Sequence, residues 1–174
     1  MKRDPRNCRG VTVLEIMIVV VMVSILSVIA IPSFQQLLSN NRTSTQVNEF
    51  VTDLNLARSE AIKRGERVTV CKSDDQETCT NGTWADGWIV FVESDTANAA
   101  VDAGEEILRV RTGLPSGATM AGDADVDDYI SFVPTGFSRL INGRIQSGDI
   151  TLTGTDQTVT ININSAGRVR TEKS

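Results

Sequence analysis

No histidine occurs anywhere in the 174-residue chain. That absence removes the commonest general base, the commonest zinc ligand and every Ser-His-Asp or Cys-His nucleophile arrangement. Ser59-Glu60 and the Asp–Ser pairs therefore have no base-nucleophile logic. No glycine cluster has G-x-G-x-x-G or Walker spacing, so no phosphate-cradling loop is expected. Cysteine is scarce too. Cys8 stands apart near the N-terminus, whereas Cys71 and Cys79 flank the polar stretch KSDDQET. In an oxidising compartment that pair reads as one local disulfide; in a reducing one it reads as two free thiols. The expected class is a non-enzymatic protein with no cofactor and no metal.

Charge of one sign is missing from long segments. Residues 1–10 carry a net charge of +3, residues 73–128 a net of −11 and residues 133–174 a net of +2, within a total of −5. An acidic middle and a mildly basic end suggest two faces with different partners. The 40% hydrophobic and 22% charged content is ordinary for a folded chain and argues against disorder.

What is present in excess is one apolar run. Val11 to Ile31 reads VTVLEIMIVVVMVSILSVIAI, interrupted by a single charge. As a helix it reaches about 30 Å, the thickness of a bilayer's hydrocarbon core. The basic residues before it place its N-terminus in the cytoplasm and the rest of the chain outside, where a disulfide is permitted. A cleaved secretory signal, with Val28 and Ala30 before a cut at Ile31, and a plain single-span anchor are both compatible with this run. Neither accounts for Glu15. A carboxylate inside the span costs roughly 2.5–3.5 kcal/mol on insertion scales and marks a functional position that needs a cation.

The segment Arg9-Gly10-Val11-Thr12-Val13-Leu14-Glu15 resembles the type IV prepilin processing site, usually written G-F-T-L-x-E, with Val11 where phenylalanine is usual. The resemblance implies cleavage after Gly10 by a prepilin peptidase and N-methylation of Val11. It also implies the cation, because the new α-amino group of a neighbouring subunit's Val11 can be offered to Glu15 during assembly.

Helix-compatible sequence continues past Ile31. Pro32 removes one backbone donor and should kink the helix without ending it. Phe34, Leu37 and Leu38 extend an apolar face, and the stretch SNNRTSTQ is polar all round. Val47, Phe50, Val51, Leu54, Ala57 and Ala61 then recur at spacings of three and four, with Glu49, Asp53, Arg58, Glu60 and Lys63 expected off that stripe. Gly65 is a plausible C-cap. Beyond it the period changes to two, and six strands are expected: Arg67–Cys71, Trp88–Val92, Ile107–Arg111, Tyr129–Phe132, Asp149–Leu152 and Thr158–Ile163. Turn signals at Asn81-Gly82, Pro115-Ser116-Gly117, Asn142-Gly143 and Ser165-Ala166-Gly167 separate them.

Leu56 to Arg64, Val68-Thr69-Val70-Cys71, Gly87-Trp88-Ile89-Val90-Phe91, Gly104 to Arg109 and Gly167-Arg168-Val169-Arg170 resemble, in order, the H-type pseudopilins and FimT/FimU-type minor pilins. The resemblance implies an α+β, pilin-like fold, with a long N-terminal helix, transmembrane in its first half, packed on an antiparallel β-sheet or sandwich domain. Expected segments are a cleaved basic leader (1–10), a transmembrane and filament-core helix (11–31), its amphipathic continuation (32–64) and a periplasmic β-rich domain (65–174). The implied protein is an inner-membrane precursor that enters a type IV pilus as an initiation or tip subunit. The alternative is an H-type pseudopilin of type II secretion. Other pilins or pseudopilins, prepilin peptidase and the inner membrane are the implied partners.

Two shorter constellations remain. Asp123-Ala124-Asp125-Val126-Asp127-Asp128 offers hard oxygen ligands, but position six lacks glycine and position twelve is Pro134, so it reads as a solvated acidic loop and not a calcium loop. Arg168 and Arg170, two apart after a turn glycine, point the same way if extended. Lys173 lies just beyond, and Arg139 and Arg144 are candidates to join them from a neighbouring turn. Such a cluster can bind phosphates, and the FimT-type resemblance implies DNA as a partner. The competing reading is that alternating arginines protect an edge strand from aggregation.

Overall fold

The computed structural model describes residues 11–94, 98–115 and 117–173. Val13–Arg64 forms a single α-helix of 52 residues, α1, continuous through position 32. Its start is set locally. Thr12 precedes the first helical residue, and its Oγ1 accepts the backbone N–H of Glu15 at 3.3 Å, satisfying one of the unpaired donors of the first turn. Its end is set by Gly65, whose φ of +72° suits glycine, with the Gly65 N–H closing on the Ala61 carbonyl at 3.1 Å.

The chain divides into two compact units, one ending at Leu38 and one running from Ser39 to Ser174. In the first, the described large apolar side chains between Val11 and Leu38 are exposed, and this stretch of helix is long and apolar enough to cross a membrane. The hydroxyls of Ser24 and Ser27 donate to the carbonyls of Val20 and Val23, each at 2.7 Å. These polar atoms are thus satisfied within the helix and need no water, as a hydrocarbon environment requires.

The second unit holds the rest of α1 and eight strands: β1 (Arg67–Lys72), β2 (Gly87–Glu93), β3 (Ile107–Thr112), β4 (Thr119–Gly122), β5 (Tyr129–Phe132), β6 (Gly148–Thr153), β7 (Thr158–Ile163) and β8 (Val169–Lys173). They make two antiparallel four-stranded sheets, ordered β3-β2-β1-β5 and β4-β6-β7-β8. All six expected strands form. Two further strands form: β4, whose Thr-Met-Ala-Gly has no alternation of its own and is held by pairing with β6, and β8, which pairs with β7 and makes the segment of Arg168 and Arg170 extended. One core joins helix and sheets: Val47, Phe50, Leu54, Ala57 and Ala61 of α1 share it with Val68, Val70, Val90 and Phe132 from the first sheet and Ile150, Leu152 and Ile161 from the second. Trp84 and Trp88 are fully buried there, each meeting the Phe50 ring edge-on at 5.3 and 5.0 Å.

One expectation on α1 is overturned. Asp53 is not off the apolar stripe; it is completely buried. Its place three residues after Phe50 and four before Ala57 puts it on the sheet-facing side. The acid is tolerated there because its carboxylate accepts from Trp88 Nε1 at 3.0 Å, Arg111 Nε at 2.8 Å and Arg111 Nη2 at 3.3 Å. Arg58 is half-buried and donates to the Gly136 and Ala166 carbonyls at 2.9 and 3.1 Å, tying two turns of the domain to the helix. The polar stretch before Val47 is also partly covered: Thr43 is buried, and a Cβ on Gly154 would lie 2.3 Å from its Oγ1, so the β6–β7 turn rests on α1 there.

Candidate assembly helix and basic turn

Of the processing residues, Gly10 lies outside the described residues, as does Cys8. Val11 is exposed, two positions before α1. Glu15 is the only charged residue of the helix between Val13 and Arg42, and it sits exposed in the first turn, at the positive end of the helix dipole. Thr12 and Glu15 have the S/T-x-x-E spacing of a capping box, and the Thr12 half of that box is formed. This cap was missed in the sequence although its signal was present. The dipole and the cap lessen the cost of a carboxylate at this level, but neither is a counter-ion.

Cys71 and Cys79 form the disulfide, with Cα atoms 5.6 Å apart. Cys71 lies on the outer face of the first sheet with Ile89 and Phe91, and Cys79 and Val101 cover them. Asp75 organises the loop between the cysteines. It accepts from the Thr78 hydroxyl, from the Thr78 and Glu77 amides at 2.8 and 2.9 Å, and from Ser73 Oγ at 3.0 Å. Those bonds, the Thr78 hydroxyl foremost, hold its carboxyl well below the usual range.

The acidic segment 123–128 is more than solvated loop. Val126 is fully buried, and its carbonyl accepts Trp84 Nε1 at 3.1 Å. Asp123 accepts the Asp149 N–H at 3.0 Å, and Asp128 pairs with the buried Lys72 at 2.9 Å. These bonds use the carboxylates as structural acceptors. A different trio, Glu93, Asp102 and Glu105, brings carboxylate oxygens within 4.8 Å of one another. There Glu105 accepts from the Ser94 amide and hydroxyl and from the Asp102 amide, which is loop capping.

At the basic end, Asn164–Gly167 make a tight turn, with Gly167 at φ +69° and Asn164 Oδ1 accepting the Arg168 N–H at 3.0 Å. A Cβ on Gly167 would lie 2.2 Å from the Gly136 carbonyl oxygen, so only glycine fits where this turn meets Arg58 and the Gly136 turn. Arg168 is exposed just before β8, and Arg170 is exposed within it, opposite Asn162. Glu172 shares the face of Arg170. Lys173 pairs with the buried Val159 and so leaves the strand toward the other face. Arg139 lies 5.9 Å from the Phe137 ring centre in the excursion between β5 and β6, whose Ser138 N–H reaches the Ser165 carbonyl at 3.2 Å. Arg144 is exposed at the tip of the same excursion.

A long apolar N-terminal helix continuing into a two-sheet antiparallel domain defines the pilin-like class. The chain matches the family model described as type II transport protein GspH over residues 46–167, and the prokaryotic N-terminal methylation motif over residues 5–31. It belongs to the GspH family. Among solved structures it is similar to the type IV minor pilin FimU of Pseudomonas aeruginosa, with 20% identity, a TM-score of 0.59, and 76% of this chain and 90% of that chain covered. It is also similar to the minor pseudopilin EpsH from the type 2 secretion system of Vibrio cholerae, with 12% identity, a TM-score of 0.52, and coverage of 76% and 97%. No curated protein sequence matches it.

Proposed function

We propose that this chain is a minor pilin. It is cut between Gly10 and Val11 and methylated on Val11, held in the inner membrane by residues 11–31 with its domain in the periplasm, and assembled into a type IV pilus as an initiation or tip subunit. The observation that carries this reading is the methylation motif at residues 5–31, which runs into a helix whose described large apolar side chains are uncovered as far as Leu38. Such a surface needs lipid before assembly and other helices after it. Glu15 is retained because the α-amino group of a neighbouring subunit neutralises it, and the domain acts by assembly without catalysis.

The test is the mature N-terminus. Intact mass of the envelope protein should show a chain beginning at methylated Val11, and Gly10→Asp should leave full-length precursor in the inner membrane. A mature chain beginning at Ile31 would establish an ordinary secretory signal and overturn the reading. Glu15→Ala should preserve insertion and cleavage while depleting the chain from filaments.

The description of the matched family and the likeness to EpsH favour a second reading, a pseudopilin serving type II secretion. A deletion that retains exported proteins in the cell while leaving pili intact would select it. DNA capture by Arg168 and Arg170 is a further part of the pilus reading. Both arginines are exposed beside a rigid turn, but Glu172 on the face of Arg170 limits the cluster to weak phosphate contacts.

A further inference from the structure

Three of the four sheet edges are closed against strand addition. The outer side of β5 is covered by the excursion after it: the Arg139 N–H donates to the Ser131 carbonyl at 3.0 Å, and Phe132 bridges to Ser138. β4 is only four residues long, and a Cβ on its Gly122 would lie 2.5 Å from the Val126 carbonyl oxygen, so the acidic loop abuts it. β8 carries Arg170, Glu172 and Lys173, charges of the kind that deter edge pairing.

β3 is neither short nor covered by another segment, and its two charges, Arg109 and Arg111, both lie on one face. It ends its sheet, runs six residues and pairs only with β2; among the described residues no other segment adds a backbone hydrogen bond to it. Its registers with β2 sort its side chains. Ile107 and Val110 lie beside Phe91 and Ile89, on the sheet face away from α1, and are 36% and 41% exposed. Arg109 and Arg111 lie beside Val90 and Trp88, on the α1 side. Asp53 is taken up by Arg111 and Trp88. Arg109 Nε stands 3.7 Å from its Oδ1, outside hydrogen-bond range, and the Arg109 side chain is 47% exposed. The edge therefore shows aliphatic groups on one face and an under-used guanidinium on the other.

We propose that the β3 edge receives an extended strand of a neighbouring, different filament subunit, which lays aliphatic side chains beside Ile107 and Val110 and brings a carboxylate to Arg109. The inference rests on the assembly reading above and adds where and how a partner docks. Main-chain bonds along β3 supply affinity, while the apolar and acidic side chains select the partner. A second copy of this chain is the wrong occupant, because pairing β3 with itself sets arginines against arginines on one face.

The experiment uses the full-length chain in the cells that produce it, with p-benzoylphenylalanine in place of Val110 and, as control, in place of Arg170. After illumination of isolated filaments, mass spectrometry identifies the adducts. The expected result is a Val110 adduct with another pilin-class subunit, in a segment containing aspartate or glutamate, and no such adduct from position 170. Ile107→Lys should lower its yield about tenfold, as should Arg109→Glu, while charge reversal of the partner's carboxylate restores the Arg109→Glu chain. Tryptophan-monitored unfolding should show a cooperative transition in both variants well above the assay temperature, lower in Arg109→Glu because it sets a carboxylate beside Asp53, which excludes misfolding as the cause. A chain present in filaments that gives no Val110 adduct, or one only with itself, overturns the proposal and leaves the assembly reading standing. Absence of the chain from every filament fraction refutes the assembly reading, and this inference with it.

Discussion

Replacing Asp53 tests whether a buried acid locks α1 to the sheet. In Asp53→Ala, Trp88 Nε1 loses its acceptor in a site where Trp88 is 1% exposed, which costs about 1–3 kcal/mol. Arg111 loses its carboxylate as well, but its side chain is 27% exposed and regains water, so this adds only about 1 kcal/mol. The sum is about 3 kcal/mol, or a fall of roughly 10 °C in Tm for a domain of this size. Asp53→Asn keeps an acceptor for the indole and should lose about half as much. The reverse truncation, Arg111→Ala, leaves a fully buried carboxylate with one hydrogen bond, from the indole, and the looser Arg109 pair at 3.7 Å, and should cost about 3 kcal/mol. Because both changes break one network, Asp53→Ala combined with Arg111→Ala should cost less than their sum by about 1–3 kcal/mol. Both tryptophans lie in the domain, so their fluorescence during urea or thermal unfolding of the detergent-solubilised chain isolates its transition. Additive losses, or a loss under about 1 kcal/mol in Asp53→Ala, would refute the reasoning.

Further outcomes follow from the disulfide, the carboxylates and the basic turn. The Cys71–Cys79 bridge closes a short loop, so Cys79→Ser or reduction should destabilise the domain by about 2.5 kcal/mol at most, read from the urea midpoint. The carboxyl pKa values of Asp75, Asp86, Glu60 and Glu106 lie below their ordinary values, held there by the Thr78 hydroxyl, the Thr83 amide and, for both glutamates, Arg64. Depressed folded-state values mean that this stability is present above about pH 4–5 and is lost as pH falls through the folded values. Tm should therefore be level from neutrality to about pH 5 and fall below it, less steeply in Asp75→Asn; an unchanged profile in that variant would exclude Asp75 as a contributor. Arg168→Ala with Arg170→Ala should abolish a low-salt DNA mobility shift while leaving Tm within about 1 °C, since both side chains are exposed. An unaltered shift in the double variant would assign those arginines to edge protection.

The long N-terminal helix and most of its core-facing positions were legible in the sequence. An apolar run interrupted only by Glu15, preceded by basic residues, admits few environments, and helical spacing placed Val47, Phe50, Leu54, Ala57 and Ala61 on the core side because periodicity along one helix is a local property. The six expected strands, alternating or, for Trp88–Val92, continuously apolar, and the short Cys71–Cys79 loop were legible for the same reason: each needs only near neighbours. Tertiary structure decided what depended on segments far apart in the chain. Asp53 looks like a solvent-facing acid until Trp88 and Arg111, 35 and 58 residues away, supply the donors that let it be buried. The strand identity of Thr119–Gly122 comes from pairing with β6, and the plugging of the acidic loop by Val126 comes from Trp84. Sequence likewise set Arg168 and Arg170 two residues apart. Only the register of β8 against β7 showed that Glu172 joins the face of Arg170 and that Lys173 leaves toward the other, because pairing fixes the face of every side chain along a strand.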